Sequence, residues 1–290
     1  MKYKILVILL IVLKYSATNA QENDFAKYFE LSITARDFLD SGKCNIAREY
    51  IDSAFSVVNQ PSFQDLEKGV EIAMCLKDTQ LVFEYCKMMA QTYGQIAGSK
   101  TIPEPAFLSF LQNKYEPLVN DAIAGFDTRY SSVLDSLHEE DQKIRGQGKV
   151  LYQNGINSDS LRTMHLIRLI NNYGFPERSK VGIWGYNNAC SVLLHSDFDH
   201  HNKLLGQLML DCVMSGKMDA KNYASIIDRR CNFRSERPYF YQVPHGYERL
   251  TPAEKEVITT RRKRIGLRSV EKSLDVQILP NGDLEATHKY

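Results

Sequence analysis

The chain has 290 residues, 43 % of them hydrophobic and 24 % charged, and its 36 Lys and Arg against 35 Asp and Glu leave a formal charge of +1. That balance argues against nucleic acid or an anionic membrane surface as a partner. The length suffices for one large domain or two modest ones with real cores, so disulfides are allowed but not required.

Residues 1–20, MKYKILVILLIVLKYSATNA, place Lys2 and Lys4 ahead of an apolar run from Ile5 to Leu13 and end on the small Ala20. This pattern predicts a secretory signal peptide cleaved before Gln21, because the run is far shorter than the ~20 residues of a spanning helix. Removing 1–20 takes away three lysines and no acid, so the formal charge becomes −2. The expected location is the periplasm or the outside of the cell, without stable membrane insertion.

From Asp24 to Gly94 the apolar spacing predicts four short helices in two hairpins. Phe25, Phe29, Ile33 and Phe38 mark the first, and Ile46, Ala47, Tyr50, Ile51, Ala54 and Phe55 follow a break at Ser41-Gly42. Leu66, Val70, Ala73 and Met74 mark the third, and Leu81 to Tyr93 the fourth. The Pro103-Glu104-Pro105 spacing predicts a linker over 99–105. Beyond it, Tyr130, Leu134, Leu137 and Ile144 lie on one stripe of a long helix ending near Gly146.

Ser158 or Asp159 is placed to cap the next helix, which Gly174 and Pro176 stop. Three more helices are predicted over roughly 185–198, 203–215 and 220–230. Residues 234–250 read as an ordered loop, and Thr251-Pro252 opens a last helix. DVQILPNGDLEA alternates on either side of Asn281-Gly282 and predicts a short β-hairpin. The fold class is therefore mainly α. It comprises a helical-hairpin, repeat-like unit over 21–98, a linker over 99–105, an all-helical domain over 106–272, and a hairpin and tail over 273–290.

Six cysteines, Cys44, Cys75, Cys86, Cys190, Cys212 and Cys231, contain no CxxC pair, and three fall in each half of the chain. Export permits disulfides. Pairing within halves would leave one over on each side, and Cys75, Cys190 and Cys212 sit among apolar residues, so buried thiols are the expectation.

Two resemblances add to this. ARDFLDSGKCNIAREYIDSAF is similar to a tetratricopeptide-type repeat in its Ala35, Gly42, Ala47 and Ala54 placements, which implies a surface for another protein or a peptide; the alternative is a small bundle that caps the next domain. Asp141–Arg145 (DQKIR), Asn171–Gly182 (NNYGFPERSKVG), Leu193–Asp199 (LLHSDFD), Asp228–Arg230 (DRR) and Arg261–Leu267 (RRKRIGL), in this order, resemble an exported bacterial family catalogued only as a domain of unknown function. That family's middle motif reads Gln-His-Ala-Asp, where Leu194 and Ser196 stand here at the first and third positions. The resemblance brings no reaction with it, but it implies a polar centre of Arg229 with His195 and Asp141.

Asp141 falls on the apolar stripe, four residues after Leu137 and three before Ile144. A buried carboxylate there needs a partner, with Arg145 one turn away and Arg229 or Arg230 as others. A bridge that fixes helix packing is the structural reading, and an acid of raised pKa for proton transfer is the catalytic one. His195, Asp197, Asp199, His200 and His201 form the densest set of potential ligands or acid–base groups, and Asp228 near a helix end requires a specific partner. No HExxH spacing, nucleophile elbow or phosphate-cradling loop is present, so no metal or cofactor is expected. The primary functional expectation is an exported binding protein that recognises a protein or peptide. The alternative is an acid–base or metal-assisted hydrolase built on His195, Asp197, Asp141 and Arg229, with Arg145, Asp228 and Asp199 around them.

Overall fold

The apolar stripes fold as helices. The computed structural model describes residues 24–146, 152–196, 202–233, 237–240, 242, 246–273, 276–278 and 284–286. A first helix, α1, covers 24–40 and turns at Gly42, whose φ of 72° suits a residue without a Cβ. It is followed by α2 (Cys44–Val57), α3 (Phe63–Leu76) and α4 (Thr79–Tyr93). Ser62 caps α3 by accepting the Asp65 N–H. Asp78 caps α4 by accepting the Leu81 N–H. α3 ends on Lys77 in the left-handed region, with the Asp78 N–H donating back to the Ala73 carbonyl.

α5 (Pro105–Ala124) is absent from the sequence expectations. Pro105 sits at its first position, where a missing N–H costs nothing, and Pro117 lies inside it. The expected linker is a packed connector: Thr101 and Ile102 donate backbone N–H groups to the Gly98 carbonyl, and Ile102 is fully buried. Its side chain joins Leu66, Val70, Met89 and Leu111 in a core shared by α3, α4 and α5.

α6 (Thr128–Arg145), α7 (Tyr152–Tyr173), α8 (Arg178–Leu194), α9 (Asn202–Met214) and α10 (Ala220–Phe233) form the larger core, around Leu134, Leu166, Tyr186, Leu193 and Met209. α7 begins before Ser158 and Asp159, so neither caps it, contrary to expectation; Asp159 is drawn instead to arginines of α6 and α7. The last helices are α11 (Pro252–Arg264) and α12 (Val270–Ser273), α11 opened by a reciprocal Thr251–Glu254 capping box. Strands β1 (Val276–Ile278) and β2 (Leu284–Ala286) pair antiparallel, and Asn281-Gly282 lies outside the described residues. Among the described residues no helix is long and apolar enough to cross a membrane. The predicted signal peptide lies outside them.

α1 packs into the larger core although α2–α5 separate it from that core in sequence. Phe25, Tyr28 and Phe29 are buried there, and the rings of Phe25 and Phe29 rest on Gly216 and Gly266. A Cβ on Gly266 would lie 2.6 Å from the Phe29 ring, so the contact demands glycine. Arg268 pairs with Asp37 and Asp40, and Lys272 with Asp37 at 2.6 Å, tying the end of α1 to the chain beyond α11.

The expectation of free thiols fails at one pair. Cys44, at the start of α2, and Cys75, in the last turn of α3, form a disulfide across a sequence separation of 31 residues. Sequence spacing gave no sign of it, because the hairpin alone brings the two helix ends together. Cys86, Cys190 and Cys212 are buried free thiols whose pKa values burial pushes up to about 11, about 12 and about 12.

Candidate functional site

The α6 seam carries a row of polar groups toward α8. Asn188 donates to Asp135 at 2.7 Å, and His195 meets Asp141 at 2.7 Å through Nδ1. A Cβ on Gly185 would sit 2.9 Å from the Ser131 hydroxyl. These three pairings advance in step along both helices, so α6 and α8 run parallel with their C-terminal ends together. His195 terminates α8, and Arg145 is the last residue of α6. Both helix ends carry negative partial charge, which favours these basic groups there and disfavours an unpaired carboxylate.

Asp141 is 1 % exposed and engages three helices. Arg145 donates through Nε at 3.2 and 3.1 Å to its two oxygens and through Nη2 at 3.0 Å. Arg162, on α7, stands 3.5 Å from Asp141 and also bridges to Asp159, which takes Arg145 at 3.1 Å as well. Burial alone would raise the Asp141 pKa. The bonds from His195 and Arg145 overcome it and hold the carboxyl at about 2. The direction of this shift is the reverse of the raised pKa that the catalytic alternative for Asp141 supposed.

Of the other expected site residues, Arg145 lies on α6 and Asp228 and Arg229 on α10. Arg145 belongs to the Asp141 cluster, and Arg229 is half-buried. Asp228 faces elsewhere, accepting the backbone N–H of Phe240 at 2.7 Å and of Gln242 at 2.5 Å; burial raises its pKa, which those amides partly offset. Arg262 supports the same loop by donating to the Phe240 carbonyl at 2.7 Å. Asp197, Asp199, His200 and His201 lie outside the described residues. No group of three or more His, Cys, Asp or Glu side chains is placed to hold a metal ion among the described residues.

Two further clusters escaped the sequence reading. Asp65, 2 % exposed in the first turn of α3, accepts from Tyr28 and Arg36 of α1 at 2.5 Å each and from Ser62 at 2.8 Å. Burial works against its charge, but these donors leave its pKa lowered. Asp219 pairs with Arg178 at 2.6 Å, and the guanidinium stands 5.2 and 4.9 Å from the centroids of the Phe63 and Tyr186 rings. Burial raises the Asp219 pKa despite Arg178. A cleft of ≈ 280 Å³, part of it open solvent, runs past Gln60, Ser62, Tyr93, Arg178, Lys217 and Asp219. It touches neither Asp141, His195 nor Arg229.

Phe83 of α4 meets Phe107 and Phe110 of α5, with centroids 6.2 and 6.1 Å away, and the two α5 rings stand 6.5 Å from each other. Phe110 is 51 % exposed, and the Lys114 ammonium stands 3.6 Å from the Phe83 centroid. Three aromatic rings with a cation beside them make a partly exposed apolar surface at this point of the fold.

Fold and sites together define a mainly helical protein with carboxylate-centred knots between its helices. Comparison with protein-family models, with curated proteins and with solved structures returns no match.

Proposed function

We propose that this is an exported binding protein that recognises another protein or a peptide through its N-terminal helix pairs and the adjoining α5. The observation that carries the reading is the Phe83–Phe107–Phe110 patch under Lys114, since aromatic anchors near a cation dominate many interfaces. Its partner segment would bring apolar side chains to the rings and an acidic group to Lys114. The stacking of α1–α4 as two repeat-like hairpins and the closure of the C-terminal hairpin around Asn281-Gly282 belong to this proposal. So do export, with loss of residues 1–20, and the resemblance of the second half to the uncharacterised exported family. The Cys44–Cys75 disulfide supports an oxidising compartment.

A photo-crosslinking residue at position 110, with the same residue at the exposed Val257 as control, tests the proposal in the cell envelope. We expect one defined adduct at 110, with a purified partner whose affinity falls about 10- to 100-fold in Phe110→Ala. Equal labelling at both positions, or an affinity unchanged by Phe110→Ala, would overturn it.

The 2.7 Å Asp141–His195 pair favours a second reading, acid–base chemistry at His195 with Asp141 orienting the ring. His195→Gln tests it: any hydrolytic activity found in the wild type must fall at least about 100-fold in the variant.

A further inference from the structure

The two sulfurs of the disulfide differ in their surroundings. Cys44 is 6 % exposed and occupies the first position of α2, whereas Cys75 is exposed in the last turn of α3. The N-cap of α2, Lys43, makes no side-chain cap, and its first turn holds no acidic residue, so nothing negative competes for the N–H groups there. A thiolate on Cys44 would sit at the positive end of the helix, the setting that lowers a thiol pKa, with the Gly42 carbonyl oxygen 3.6 Å from its sulfur. A thiolate on Cys75 would face the carbonyl end of α3 instead.

We infer that the Cys44–Cys75 disulfide is an exchange site for an external dithiol, which attacks Cys75 and expels Cys44 as the leaving thiolate. Access and leaving-group stability select the same direction, because exchange is fastest at an accessible sulfur whose partner leaves as a low-pKa thiolate. In the first step the attacking thiolate forms a bond to Cys75 Sγ, the Cys44–Cys75 bond breaks, and its electron pair stays on Cys44 Sγ. The second thiol of the dithiol, once deprotonated, then attacks its own sulfur in the mixed disulfide and releases Cys75 as a thiolate. The protein gains two electrons and the dithiol becomes a disulfide. Reduction cuts the disulfide cross-link between the start of α2 and the last turn of α3.

The test uses the full chain, with glutathione as a monothiol probe, acid quenching and peptide mapping. Folded protein is expected to carry glutathione on Cys75 at least about tenfold more often than on Cys44, and urea-unfolded protein to carry it on both alike. Equal labelling in the folded state, or a preference for Cys44, would overturn the inference. Asn45→Asp, which sets a carboxylate beside the leaving sulfur, should slow the exchange several-fold, while Asn45→Gln should leave it near the wild-type rate. Equal rates in the two variants would remove the role of the α2 terminus.

Discussion

Replacing Asp141 with Asn takes one negative charge from a site where Arg145, Arg162 and His195 all stand within 3.5 Å. The amide keeps the volume and one acceptor oxygen, so the loss is electrostatic. Breaking a buried pair from one side costs about 3–5 kcal/mol. Arg145 is one-third exposed and keeps Asp159 as a second partner, which lowers the expectation to about 2–4 kcal/mol at pH 7. For a chain of this size the melting temperature should fall by about 5–12 °C.

The sign with pH follows from a folded pKa of about 2, below the unfolded value of about 3.9. The contribution of this carboxylate is complete above pH ~4 and disappears as the pH falls through ~2; after solvent screening this linked part is about 1–2 kcal/mol. The gap between wild type and variant should therefore narrow in acid. Urea denaturation at pH 7 and at pH 2.5 reads both effects. A penalty under about 0.5 kcal/mol at pH 7, or one of equal size at the two pH values, would refute the reasoning.

Gly266→Ala should destabilise by about 2–3 kcal/mol in thermal melts, because its φ of 83° and the Phe29 ring both oppose a Cβ. Asp228→Asn removes one of two carboxylate acceptors for the 240–242 backbone, and limited proteolysis should then cut that loop at least several-fold faster with the helices intact. Four thiols should titrate in the unfolded, unreduced protein, and Cys44→Ser with Cys75→Ser should lower stability by about 3–4 kcal/mol through the freed loop.

The helices were legible because burial writes its period into the chain: the stripes at Phe25–Phe38, Leu66–Met74 and Leu134–Ile144 emerge as α1, α3 and α6. α5 was not, because only Leu111 and Tyr115 of its twenty residues are buried, too few to show a stripe, and two prolines fall within it. At the candidate site, the place of Asp141 on an apolar stripe announced burial, and Arg145 one turn on announced a partner. Arg162 gave a weaker sign, four residues before the buried Leu166. The Asp65 and Asp219 clusters could not be read at all, since Tyr28, Arg36 and Arg178 reach them from distant parts of the chain.

The same distances bear on the choice between the two functional readings. Asp65 joins α1 to α3, Asp219 joins the start of α10 to α8, Asp228 pins the 240–242 backbone, and Asp141 gathers α6, α7 and α8. All four hold sequence-distant elements together, and a carboxyl held at about 2 has no proton to give near neutral pH. Asp141 would thus serve acid–base chemistry only as a positioning residue for His195. A pH–rate profile separates the roles. In a hydrolase, Asp141→Asn would change kcat and the titration that governs it, and Asp141→Glu would restore part of both. In a packing knot the two variants would differ in Tm alone.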